Sequence, residues 1–321
     1  MSSKREVFLD QAESSAPRSP LYAELCRRFA DDPRIDPIVG AEPAWDAPLR
    51  LLGGLHALVL SGRASWGDIE GALEEHADFL SRAVADRPVQ TNEVQRCWVL
   101  LPCFLELARL SGHTRLDLVE LGPSAGLNLM WDRYRYVYEA GDWGPEDAAL
   151  TLRGRERRPV PPELLELRPR IGRRVGIDLA PVDVTTDEGA LHLKSFIWGD
   201  QVHRLELLDR AIQTLREAPP QLIRGDIADE LPRVLANRSK AALTVVWQTS
   251  VLGYVPDDSR RRVYEALAEA GAERPLGWIS AGSSRRPPEH EWALKVRLWP
   301  AHESSVVAHA DYHGAWLEWV E

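Results

Sequence analysis

A chain of 321 residues with a hydrophobic fraction of 44% is long enough to bury one large core or two unequal ones. Its net charge of −10 repels phosphate backbones and argues against a nucleic-acid partner. No run approaches the roughly 20 apolar residues of a membrane span, and the start, Met1-Ser-Ser-Lys, lacks an apolar signal core. Cys26, Cys97 and Cys103 fit no metal spacing and read as reduced, mostly buried thiols, so the expected location is cytoplasmic.

Residues 1–112 read as helical. Apolar residues recur at three- and four-residue spacing over 20–30, 48–60, 66–85 and 93–110. Pro20 and Pro48 open two of these segments, and Gly62 and Gly112 lie beyond the ends of two. His56 falls in an apolar helix, either as a satisfied core histidine or as a substrate contact. Arg96 sits on an otherwise apolar helix, where a cation needs an internal salt bridge or a carboxylate-bearing ligand.

After residue 115 strands alternate with helices. The apolar strand 116–121 carries Glu120 near its end; Gly122 and Gly126 follow, then a helix-like segment over 127–136. A strand that turns into a helix at glycines brings bare backbone and a positive helix end close to a ligand. The acid accepts hydrogen bonds from a ribose or an ammonium. This combination implies a nucleotide-like ligand at the carboxyl ends of the strands of an open α/β sheet. The dinucleotide signature Gly-x-Gly-x-x-Gly is absent, because Ser124 and Leu127 hold its second and third glycine positions, which argues against NAD or FAD.

A Pro- and Arg-rich stretch within about 137–172 reads as an insertion. Strands are predicted at 174–184, 221–224, 243–248 and 276–280, and helices at 200–217, 227–236 and 257–270. Asp200 reads as the cap of the first of these helices, with Trp198 beside it as a ring able to stack on a ligand. Asp226 is an N-cap that can also face a ligand. The strand 292–299 alternates, placing Lys295 and Arg297 on one face and Leu294, Val296 and Leu298 on the other. With 305–310 and 315–320 it forms an antiparallel meander on the sheet edge.

A helix-rich front, a doubly wound core and an antiparallel finish together resemble the class I S-adenosylmethionine-dependent methyltransferase superfamily. Val119-Glu-Leu-Gly-Pro-Ser-Ala-Gly126 is similar to its first motif, with Ser124 where the middle glycine usually stands. The resemblance implies a Rossmann-like α/β sheet and S-adenosyl-L-methionine as cofactor, its methionine part held by Glu120, Gly122, Ser124, Gly126 and Asn128. An acid ending the second strand, Asp178 or Asp183, would bind the ribose. Arg224-Gly-Asp-Ile-Ala-Asp-Glu-Leu-Pro232 resembles the third-strand motif, in which Asp226 would contact adenine with Ile227 packing beside it. The fourth strand ends at Gln248 and Ser250, with Tyr254 a turn further on, where substrate and cofactor meet in such folds. About fifty residues separate Gly126 from Asp178, against roughly 20 in a nucleotide fold, so the Pro- and Arg-rich stretch has to be an insertion. Residues 281–291 are too short and Pro-rich for the helix normally found there.

A narrower resemblance covers nearly the whole chain. Ser19-Pro-Leu-Tyr, Gln90-Thr-Asn-Glu-Val-Gln-Arg96, Glu120 through Asn128, Asp132-Arg-Tyr-Arg-Tyr136 and Trp198-Gly-Asp-Gln201 are similar to a bacterial family of a domain of unknown function. It implies that Thr91, Asn92 and Arg96 line the site from the helical front.

The expectation is a cytoplasmic methyltransferase acting on a small molecule. Residues 1–112 would form a lid that sets specificity, and 113–321 would carry the cofactor, Gln248 among its contacts. His56, Trp198, Ser250 and Tyr254 are the candidate substrate contacts. No Ser-His-Asp elbow and no P-loop is found, so no dedicated base is assigned. A non-methyl transfer from the sulfonium and a non-catalytic nucleotide-binding module are the alternatives.

Overall fold

The computed structural model describes residues 3–40, 42–86, 88–283 and 291–320. Most of the segment read as too short for a helix, 284–290, lies outside these residues, as do Met1 and Ser2. The chain forms two compact units, Met1–Thr91 with Asp183–Asp209, and Asn92–Val182 with Arg210–Glu321.

The first unit contains helices α1 (Lys4–Ser15), α2 (Pro20–Asp31), α3 (Asp36–Val39), α4 (Ala47–Leu60), α5 (Ile69–Glu75) and α6 (Ala77–Asp86). Its core gathers Phe8, Tyr22, Phe29, Leu51, Leu55 and Leu80. No apolar stripe announces α1. A reciprocal Ser3/Glu6 capping box starts it instead. The single segment expected at 66–85 is divided at His76 into α5 and α6, the first capped by Asp68.

The second unit begins with α7 (Arg96–Ser111) and holds β1 (Arg115–Leu121), β2 (Arg135–Tyr138), β3 (Gly141–Trp143), β4 (Thr151–Arg153), β5 (Arg155–Arg158), α8 (Pro162–Leu165) and β6 (Arg170–Asp178). The chain then passes through α9 (Asp187–Ser195) of the first unit and α10 (Val202–Glu217), which is divided between the units after Asp209. It continues with β7 (Gln221–Arg224), α11 (Ile227–Ala236), β8 (Leu243–Thr249), α12 (Asp257–Glu273), β9 (Leu276–Ser283), β10 (Glu291–Trp299), β11 (His302–Asp311) and β12 (Trp316–Trp319).

The result is a mixed α/β structure with a nine-stranded sheet in the order β5-β12-β11-β10-β9-β8-β1-β6-β7. From β7 to β9 neighbouring strands are parallel, and from β9 to β12 they are antiparallel. Strands β1 and β8 are central and buried on both faces, which is why each reads as a nearly unbroken apolar run. Side chains of α11 and α12, among them Leu231, Val263 and Leu267, pack with Val246 and Trp278 on one face. On the other face α7 sends Phe104 against Trp247, 5.1 Å between ring centroids.

The helix expected over 127–136 does not form. Leu127–Arg133 is a 3₁₀ turn, and the chain then enters β2. The alternating Tyr134, Tyr136 and Tyr138 favour a strand. The Tyr134 and Tyr136 hydroxyls donate to the Leu127 and Trp131 carbonyls at 2.7 Å and so tie the start of the strand back to the turn. The chain leaving the glycine loop therefore enters no α-helix of its own. The Pro- and Arg-rich stretch folds as a small sheet, β3-β2-β4, and β5 joins the edge of the large sheet beside β12. The strand expected at 174–184 is displaced to Arg170–Asp178 by its pairing with β1.

Candidate functional site

Three residues in five adopt left-handed backbone after β1: Gly122 (φ +71°), Ser124 (φ +56°) and Gly126 (φ +81°). For Ser124 this conformation is strained, and the surroundings hold it. Its amide donates to Asp178 Oδ2 at 2.9 Å, its carbonyl accepts from the Val182 amide at 3.1 Å, and the Leu127 amide donates to Asn92 Oδ1 at 3.0 Å. A second strained residue, Ser250 (φ +65°), follows the neighbouring strand β8. The two turns touch, and a Cβ at Gly122 would lie 2.6 Å from Val251 Cγ2.

Asp178 anchors this loop through Oδ2, while its Oδ1 accepts from the Ala180 amide at 2.9 Å in the segment that follows β6. Asp178→Ala should therefore destabilise the protein by about 2–3 kcal/mol, the range for losing charge-assisted bonds to backbone amides. Urea unfolding checks this. An unchanged midpoint would mean the loop is held without the carboxylate.

Gly122, Asp178, Asp226, Ile227, Val251 and Tyr254 line a cavity of about 120 Å³ at the carboxyl ends of β1, β6, β7 and β8. Asp226 caps α11 by accepting from the Ala228 amide at 2.7 Å. Carboxylate oxygens accept more than one hydrogen bond, so Asp178 and Asp226 keep capacity for a ligand. A larger cavity of about 510 Å³ lies beyond the ends of β8 and beside β9 and β10, with Gln248, Ser250 and Tyr254 in its wall. Tyr254 lines both.

Glu120 is opposite Trp247 in the β1–β8 register. Burial pushes its carboxyl up to about 8, against the pull of the Trp247 indole and the Asn128 amide. Its Oε2 and the Ser124 hydroxyl are buried without hydrogen-bond partners. Asn128 Oδ1 accepts from Cys97 Sγ at 3.3 Å. Glu120 lines neither cavity.

A family described as "Uncharacterized protein conserved in bacteria (DUF2332)" matches residues 5–319. The chain belongs to this family. The match spans nearly the whole chain and names no reaction. No curated protein and no solved structure matches the chain. Among the described residues, no helix is long and apolar enough to cross a membrane.

Within this family member, the second unit holds Glu120, Gly122, Ser124, Gly126, Asn128, Asp178, Asp226, Ile227, Gln248, Ser250 and Tyr254 at the strand ends and in the segments beyond them, with Asn92 joined to them from the segment before α7 by its bond to the Leu127 amide. Of the two ribose candidates, Asp178 lines the smaller cavity. Asp183 belongs to the first unit, where it accepts from the Thr185 amide and hydroxyl. Among the described residues Arg96 makes no ion pair. Its guanidinium donates to the Tyr312 carbonyl (3.1 Å) and the Thr249 hydroxyl (3.4 Å) and lies 4.9 and 4.5 Å from the ring centres of Trp292 and Tyr312. Aromatic faces and neutral acceptors thus stabilise the cation.

Thr91, His56 and Trp198 belong to the first unit. Thr91 is exposed. His56 is buried 3.3 Å from the Ser195 carbonyl with its ring against Trp66, and burial lowers its pKa. Trp198 stacks on Tyr22 at 5.7 Å. Asp200 does not cap the helix after it. It accepts from the Ser19 hydroxyl (2.7 Å) and the Leu21 amide (3.3 Å) and so secures the start of α2. Sequence reasoning missed Val251, Ser280 and Lys295 as wall residues. The alternation that exposes Lys295 was readable, but its neighbours across the sheet were not.

Proposed function

We propose that the protein is a cytoplasmic S-adenosylmethionine-dependent methyltransferase acting on a small molecule, built on a Rossmann-like doubly wound sheet. The observation that carries this reading is the smaller cavity. It lies where the parallel strand order reverses direction, between β1 and β8, the place where open α/β sheets bind ligands. A glycine that admits no side chain and two carboxylates define it. The unpartnered Glu120 Oε2 and Ser124 Oγ support the same reading, because buried polar atoms without partners mark places where a ligand's polar groups fit.

In this reading Asp226 and Ile227 hold the adenine and Asp178 the ribose. Glu120, Ser124 and Asn128 line neither cavity and would meet the amino-acid part where the cofactor reaches past the loop from Gly122 to Gly126. When bound, the cofactor supplies a methyl group already activated on a sulfonium. What remains for the protein is to position the acceptor and exclude water, which can provide most of the acceleration. Gln248 is fixed for that task, donating to the Ala281 carbonyl at 3.2 Å, and Ser250 beside it is held by its amide on the same carbonyl.

Calorimetric titration with S-adenosylmethionine and S-adenosylhomocysteine tests the proposal. Both should bind saturably, and Asp226→Asn should weaken them about tenfold, the effect of one lost charge-assisted hydrogen bond. The asparagine keeps the helix cap, so the variant stays folded. Binding of a different nucleotide in place of both would overturn the assignment. Binding with no methyl acceptor found would favour a non-catalytic module.

A further inference from the structure

We infer that the larger cavity is a site for the carboxylate of a small organic acid, the acceptor in the proposed reaction; as an acceptor site it rests on the methyltransferase reading. The site is a row of side chains across three adjacent strands. Gln248 of β8 is opposite Ser280 of β9, and Ser280 is opposite Lys295 of β10. Residues opposite one another in adjacent strands point to the same face and lie within about 5 Å at Cβ. All three line the cavity of about 510 Å³.

Charge decides what fits there. No Asp or Glu lines this cavity among the described residues, while Arg260 and Lys295 do. Arg260 is already engaged by Asp257 and donates to the Leu252 carbonyl at 3.3 Å. Lys295 and Ser280 make no side-chain hydrogen bond or ion pair among the described residues. An ammonium, a hydroxyl and the free N–H of the Gln248 amide are thus available in one row, all able to donate. One unpaired cation matches one negative charge. A monocarboxylate is satisfied there, whereas a phosphate dianion would keep an uncompensated charge. Tyr254 and Tyr264 add ring faces suited to an apolar body behind the carboxylate. Because Tyr254 also borders the smaller cavity, an acid held by Lys295 lies beside the proposed cofactor pocket.

The test uses phenylacetate and hexanoate, with their uncharged primary amides, titrated calorimetrically into the full chain with and without S-adenosylhomocysteine. The acids should bind at least about tenfold more tightly than the amides, as one charge-assisted contact predicts. Lys295→Met should bring the acids down to the level of the amides, Lys295→Arg should keep the preference, and neither should change S-adenosylhomocysteine affinity. Equal binding of acids and amides, acid binding indifferent to Lys295→Met, no binding of either acid, or tighter binding of inorganic phosphate would each overturn the inference. If the acids discriminate through Lys295 but S-adenosylhomocysteine does not bind, the carboxylate site stands and the methyltransferase reading falls.

Discussion

Gly122→Val is expected to abolish S-adenosylmethionine binding while leaving the protein folded. Two effects add at this position. A side chain on left-handed backbone costs about 1–2 kcal/mol, and a β-branched one more. The new Cβ would also lie 2.6 Å from Val251 Cγ2 and 2.9 Å from Val251 Cβ. Val251 cannot move alone, because Ser250 before it is strained and its amide is tied to the Ala281 carbonyl. Relieving the overlap therefore displaces the turn that carries Tyr254 and distorts the smaller cavity. A loss of at least about a hundredfold in affinity is expected, roughly 3 kcal/mol. The destabilisation should be of similar size, within the roughly 5–15 kcal/mol that a native domain has. Titration calorimetry and denaturant unfolding on the same samples separate the two. All three of the nearest atoms belong to Val251, so adding Val251→Ala to Gly122→Ala should restore part of the affinity that Gly122→Ala loses. Full affinity in Gly122→Val would place the ligand elsewhere.

The contrast between legible and illegible parts of this chain comes from which interactions are local. Strands β7 and β8 and helix α11 were readable because apolar runs, a turn at Gly225 and a cap at Asp226 all act within a few residues. The glycine loop was readable as a loop. The segment beyond Gly126 was not, because Leu127, Met130 and Trp131 have helical spacing while the tyrosines after them pair with β3 and β4. Asp200 misled for the same reason. An acid before a helix looks like that helix's cap, yet its partners are Ser19 and Leu21, about 180 residues away. Gly122, Asp178, Asp226 and Ile227, each legible within its own short motif, line one cavity. The row of Gln248, Ser280 and Lys295 exists only through the register of three strands, which depends on pairing between separate segments and is not visible in any one of them.

Glu120 should give the protein an unusual pH dependence that the cofactor reverses. Burial raises its carboxyl from 4.5 to about 8, so the folded chain holds this proton more tightly than the unfolded chain does. The associated stability is complete below about 4.5 and is lost as pH rises towards 8, with a slope of up to about 1.4 kcal/mol per pH unit. Glu120→Gln removes the titrating group and should flatten that decline, measured by urea unfolding across the same range. A ligand ammonium placed against Oε2 would favour the ionised carboxylate. Binding of S-adenosylmethionine should then release a proton, and its affinity should rise with pH up to about 8, following the titration of this group. Calorimetry in buffers of differing ionisation enthalpy reads the released proton directly. Proton release that persists in Glu120→Gln would assign the titration to another group and detach Glu120 from the amino-acid part of the ligand.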